Sequence, residues 1–123
     1  MVKYQKGHSF WLFFATTLTL ALIWLALMPG KSAPVGLGSD RLNHAAAIAT
    51  VTYVVFLALN PRKRAAEYSF VYGIALGILI EIMQGTLTKT RSAEWADLVA
   101  DIVGAAVVLV LIKIYQLAIS PKA

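Results

Sequence analysis

The chain contains no cysteine, which excludes disulfides, thiolate metal sites and cysteine nucleophiles. Charge is also scarce: Asp, Glu, Lys and Arg make up 14% of the residues, and only six of those residues are acidic. Against that scarcity, 59% of the 123 residues are hydrophobic and the mean hydropathy is +0.73. Such a composition is too apolar for an ordinary soluble domain and leaves room for one domain at most. There is no internal repeat and no low-complexity tract. The formal charge of +5 and the sequence pI near 9.7 bring nucleic acid to mind. The basic residues, however, sit at the ends of apolar segments rather than in a stripe interleaved with aromatics, so nucleic acid is not an expected partner.

Four apolar stretches are present: Ser9 to Met28, Arg41 to Leu59, Tyr68 to Leu87 and Trp95 to Ile119. At a rise of about 1.5 Å per residue, each is long enough to cross a hydrocarbon core of about 30 Å. The expectation is an all-α integral membrane four-helix bundle, a single domain over residues 1–123. Lys3 and Lys6 ahead of the first stretch resemble the start of a signal peptide. The stretch exceeds the roughly 7–15 residues of a signal's apolar region, and Lys31 falls where a cleavage site prefers a small residue, so a retained first helix is expected.

Basic residues in short loops set orientation, because the cytoplasmic side carries the excess. The amino-terminal arm (Lys3, Lys6), the second loop (Arg62, Lys63, Arg64) and the tail (Lys113, Lys122) hold seven of the eleven. The first loop (Lys31, Arg41) and the third (Lys89, Arg91) hold four. Both termini are therefore expected in the cytoplasm of a bacterial inner membrane. Trp11, Tyr68, Tyr72 and Tyr115 would lie near the inner boundary, Trp24 and Trp95 near the outer. Lys113 is close enough to the inner boundary to snorkel, and Glu67 is expected to balance the "PRKR" loop. His8 reads as a surface residue without a role.

Breakers mark "MPGKSAPVGLGSD" and "NPRKR" as loops, while the third connection is short and polar, as in a tight antiparallel hairpin. Thr90 or Ser92 is placed to cap the fourth helix, with Glu94 and Asp97 favouring its positive end. That hairpin, "EIMQGTLTKTRSAEWADLVAD", carries four of the six acidic residues. In the third helix Gly73, Gly77, Glu81 and Gly85 recur at four-residue intervals with Gln84 three after Glu81, which predicts one shared face. In the fourth, Glu94, Asp97, Asp101, Gly104 and Val108 form a stripe that begins acidic and turns small and apolar. In the second, Asp40, Arg41 and His44 gather at the start. Counting from the helix ends predicts Glu81 and Asp101 about 9 Å deep and His44 about 5 Å. Ionisable residues at such depth usually face the bundle interior and mark functional sites.

These residues carry a resemblance. "SDRLNHAAAI" followed by "GIALGILIEIMQGTLTKTRSAEWADLVADIVGA" resembles the VanZ-like family of small bacterial membrane proteins. Its ordered pattern falls on Asp40, Arg41, His44, Glu81, Gln84, Arg91, Asp97, Asp101 and Gly104, over about residues 39 to 105. Asp101 stands where many members carry Asn, "AAAIA" replaces the aromatic residues that commonly follow the His, and the second glycine often found soon after Gly104 is missing. The resemblance implies a role in the cell envelope, in a family named for an association with glycopeptide resistance, without implying a reaction.

The expected site is an outward-facing polar pocket formed by Arg41, His44, Glu81, Gln84, Arg91, Asp97 and Asp101. Its expected partner is a membrane lipid, a lipid-linked envelope precursor or a glycolipid or glycopeptide headgroup, with the arginines pairing to phosphate. An enzymatic alternative, a hydrolase or transferase on such a lipid, makes Glu81 or Asp97 a general base and His44 an acid or base. In that reading Asp97 and Asp101 could hold a divalent cation such as Mg²⁺ or Ca²⁺. An ion-coupled transporter is a third reading, and an interhelical packing network the structural one. Gly73 and Gly77 could instead mediate a homodimer, since small residues at this spacing let helices approach closely.

Overall fold

The computed structural model describes residues 7–28, 40–60, 62–87 and 95–119. It is all-helical, with α1 at His8–Leu27, α2 at Asp40–Leu59, α3 at Ala65–Leu87 and α4 at Trp95–Ile119, and there is no strand among the described residues. All four helices are long and apolar enough to cross a membrane, so the chain is a multi-pass membrane protein. The bounds match the apolar stretches to within one residue except at the start of α3, which begins at Ala65 rather than Tyr68. Ala65 and Ala66 are strong helix formers, and the turn after α2 passes straight into the helix through Ala65 N–H to Arg62 O at 3.1 Å and Tyr68 N–H to Arg64 O at 2.9 Å.

Side-chain bonds fix the course of the chain. His8 Nδ1 donates to Ala58 O at 2.7 Å, joining the start of α1 to the end of α2. Lys113 Nζ meets Glu67 Oε2 at 2.8 Å, joining the end of α4 to the start of α3. The helices thus alternate in direction, and residues 8 and 119 lie at the same end as the Arg62–Lys63–Arg64 turn. We call this the basic end and the opposite one the acidic end. Two expectations change here. His8 closes one of the last carbonyls of α2, which the helix cannot satisfy itself, and Glu67, besides feeling Arg64 of the neighbouring loop, pairs across helices with Lys113.

Helix α2 touches each of the other three; α3 touches α1 and α4, while α1 and α4 do not meet. Much of what lies between the helices is small, beside a core of Ile48, Val51, Val54, Leu76 and Ile80. Ala58, Ala65, Ala66, Ala105, Thr52, Ser69, Gly73, Gly77 and Gly104 are buried, whereas Phe13, Trp24, Leu87, Trp95 and Leu117 point outward. Lipid tails already solvate the large apolar side chains, so helices in a membrane associate through close packing and polar contacts instead. Hydroxyls that face out are satisfied locally, as Thr16, Thr50 and Thr86 each donate to the carbonyl four residues earlier.

Two crossings depend on glycine. A Cβ at Gly104 would run into the backbone carbonyl of Ala45, so α2 and α4 meet main chain to main chain. A Cβ at Gly77 would lie 2.8 Å from Asp101 Oδ2. Gly73 faces Thr52, Ile48 and Ala105, so both glycines of the expected dimer motif are covered by the chain's own helices. Gly85 is exposed instead of sharing their face. Each four-residue step advances about 40° beyond a full turn, and three steps from Gly73 carry Gly85 about 120° away.

These contacts predict opposite outcomes for two substitutions of the same kind. Gly104→Ala should destabilise the bundle by about 1–3 kcal/mol, because the obstructing atom belongs to backbone. Gly85→Ala should leave stability unchanged or slightly raised. Loss of helical ellipticity during SDS titration of both variants measures the difference, and equal midpoints would contradict the close α2–α4 contact.

Candidate functional site

The acidic end gathers side chains from three helices. α2 and α4 both start there and α3 ends there, so His44, Asp97, Asp101 and Glu81 all lie within one or two turns of a helix terminus. Burial follows the stripes read from the sequence: Glu81, Gln84, Asp97 and Asp101 are the buried polar residues at this end, among those described. Asp101 is enclosed most fully, with 1% of its surface exposed. Small neighbours make that possible, since Gly77 leaves the space its carboxylate fills and Gly104 draws α4 against α2 one turn further in.

His44 is the centre of the group. Its Nδ1 lies 3.3 Å from Asp101 Oδ1 and 3.5 Å from Glu81 Oε1, while Nε2 lies 3.7 Å from Asp97 Oδ2. The imidazole therefore stands between two carboxylates on one edge and a third on the other. Helix counting predicts His44 a turn shallower than Glu81 and Asp101, yet the imidazole and the two carboxylates meet within 3.5 Å. The side chains span an offset of about 4 Å between helix positions.

An ionised carboxylate at the centre of a membrane helix costs about 3 kcal/mol on insertion scales. Three carboxylates about one imidazole reduce that cost only through attraction to positive charge and hydrogen bonds to donors. Asp101 is the sharpest case: among the described residues neither of its oxygens accepts a hydrogen bond, and its ionic neighbour there is His44. The donor atoms of His44, Glu81 and Asp101 all lie within 4.8 Å of one another, a grouping able to hold a metal ion. This differs from the Asp97–Asp101 pair expected for a cation, because Asp97 faces the opposite nitrogen of the ring.

No family model, curated protein or solved structure matches this chain.

The remaining expected members of the site separate. Gln84 is buried, and its Nε2 donates to Ala26 O at 3.2 Å, where it closes one of the free carbonyls at the end of α1. The side chain thereby ties α1 to the acidic end. Arg41 is exposed and makes no ion pair among the described residues. Arg91, Glu94 and the caps proposed at Thr90 and Ser92 lie outside the described residues, as does the side chain of Asp40. Sequence reasoning missed two polar links at the basic end, His8 to Ala58 and Lys113 to Glu67. A histidine at a helix start and a lysine inside an apolar run were the available signals, but neither names a partner on another helix.

Gln84→Leu should cost about 1 kcal/mol, the worth of an ordinary hydrogen bond, and should loosen α1 specifically. Hydrogen exchange would show this as faster exchange in the last turn of α1 with α4 unchanged. Uniform acceleration over all four helices would refute Gln84 as a local tie.

Proposed function

We propose that this chain is a multi-pass bacterial envelope protein of the VanZ-like kind, with both termini in the cytoplasm. In this reading its acidic end opens outward and holds the polar headgroup of a membrane lipid or lipid-linked precursor. The observation that carries it is the placement of three buried carboxylates around His44 at one end of a bundle whose interior is otherwise uncharged among the described residues. A packing network alone is weakly rewarded in membranes, where an interhelical hydrogen bond contributes about 0.6 kcal/mol on average. Ser or Thr would supply that much without the cost of charge. A headgroup brings cationic, hydroxyl or phosphate groups to the membrane boundary, where ionisable side chains near helix ends meet them with little loss of hydration.

Orientation rests on the basic residues, of which Arg62, Lys63 and Arg64 are exposed at the end shared by residues 8 and 119. The ordered motif of the VanZ-like resemblance supports the envelope assignment, and glycopeptide resistance is one setting in which such a protein would act. A transporter is less well supported. Toward the basic end, the interior of α4 continues as Gly104, Ala105 and Ile112, which offers an ion no polar path along that helix.

An enzymatic reading is favoured by one observation, the carboxylate of Asp97 beside Nε2 of a histidine whose other nitrogen faces two more carboxylates. A carboxylate so placed fixes the tautomer of an imidazole that transfers protons. In that version His44 is the acid or base, Glu81 is the second proton acceptor, and the substrate is the same headgroup.

Native mass spectrometry of protein extracted gently from its own membranes tests the proposal. Wild type should retain one lipid per chain, and Glu81→Gln with unchanged helicity should lose most of it. Equal occupancy in both, or none in either, would defeat the headgroup reading.

A further inference from the structure

Among the described residues, three features of the acidic end point past a bare headgroup pocket. The first is spacing. Two ligands about 2.0–2.1 Å from a tetrahedral ion are separated by about 3.3 Å. The Nδ1 atom of His44 stands 3.3 Å from Asp101 Oδ1 and 3.5 Å from Glu81 Oε1. The second is Asp101, which is 1% exposed, lies with Oδ1 facing that nitrogen, and accepts no hydrogen bond among the described residues. A buried carboxylate in that condition lacks the donors it would need if the site were complete. The third is the far edge of the ring. Asp97 Oδ2 lies 3.7 Å from Nε2, on the side where the second nitrogen of a metal-bound histidine usually meets a carboxylate.

We infer that His44 Nδ1, Glu81 and Asp101 form a three-ligand site for a divalent transition-metal ion of the Zn²⁺ class, with Asp97 orienting the imidazole from its opposite nitrogen. The imidazole selects against Mg²⁺ and Ca²⁺, which favour all-oxygen surroundings, whereas Zn²⁺ accepts nitrogen and carboxylate together. Two carboxylates balance the charge of the ion, and a neutral imidazole adds none, so the ligand set and ion together are neutral. Each ligand comes from a different helix. The ion therefore draws α2, α3 and α4 together at one level, and Gly77 is the point on α3 where a side chain would crowd Asp101 out of position.

Three protein ligands leave a tetrahedral ion one position open. For the purpose of that open position the inference rests on the headgroup reading above: an anionic oxygen, such as that of a phosphate, is the ligand class that completes it. The ligand set itself does not depend on that reading.

The test uses the full chain in detergent, stripped with a chelator and titrated with Co²⁺, which substitutes for Zn²⁺ and absorbs visible light. One equivalent should bind to wild type and be displaced by Zn²⁺. His44→Ala, Glu81→Gln and Asp101→Asn should each abolish the bound spectrum, and Asp97→Ala should weaken binding about 10–100-fold while keeping one equivalent. Glu67→Gln, at the other end of the bundle, should bind as wild type. Because a ligand variant can lose its fold, Cu²⁺-loaded wild type should also show coupling to an imidazole nitrogen in pulsed electron paramagnetic resonance. Substoichiometric Co²⁺ on wild type, binding that is indifferent to the ligand variants, or no imidazole coupling would each overturn the site. Lipid retention measured on the same samples separates the two readings. Metal without lipid upholds the metal site and defeats the headgroup, and lipid without metal does the reverse.

Discussion

The interaction on which this structure turns is the approach of His44 to three carboxylates away from bulk water. Charge of that kind is tolerated in a membrane bundle only where opposite charge or donors stand within a few ångströms. That requirement reaches outward through the fold. The side chain of Asp101 is short, so the backbones of α2 and α4 must come close, and Gly104 against Ala45 is where they do. Glu81 needs α3 in the same position, and Gly77 allows it by leaving room for Asp101. Packing in this protein is thus subordinate to the polar cluster. The small residues that in a soluble domain would signal a weak core here permit the distances that the cluster needs.

The two ends of the bundle are held by different chemistry. At the basic end, single polar links join helices in pairs, His8 to the end of α2 and Lys113 to Glu67. At the acidic end, one group of side chains joins α2, α3 and α4 at once, and Gln84 adds α1 through the carbonyl of Ala26. Loss of a pairwise link affects two helices. Loss of His44 removes the common neighbour of three carboxylates on two helices.

Much of this was legible in the sequence, for identifiable reasons. The spans were readable because apolar length is a direct consequence of bilayer thickness. The acidic stripe of α4 and the inward face of α3 were readable because helical spacing puts Asp97 with Asp101, and Gly77 with Glu81, on one side. Where the reading failed, it extended one rule too far. Four-residue spacing was carried to Gly85, beyond the arc that stays on one face. Depth was counted from backbone positions, although side-chain length brings His44 level with Glu81 and Asp101. Partners on other helices, such as Ala58 for His8 and Ala26 for Gln84, are not visible to any rule that works along a single helix.

The position of His44 on α2 also bears on how the protein is made. Helices leave the ribosome in order, and amino-terminal elements are available before later ones. The imidazole is therefore in place before α3 and α4 are synthesised, and these are the helices that bring Glu81, Asp97 and Asp101. The acidic hairpin emerges after α2, into a bilayer where its counterpart already waits. Had the histidine been placed on α4 and the carboxylates on α2, unpaired acids would have had to remain in lipid until synthesis was complete. The sequence puts the group that tolerates solitude first.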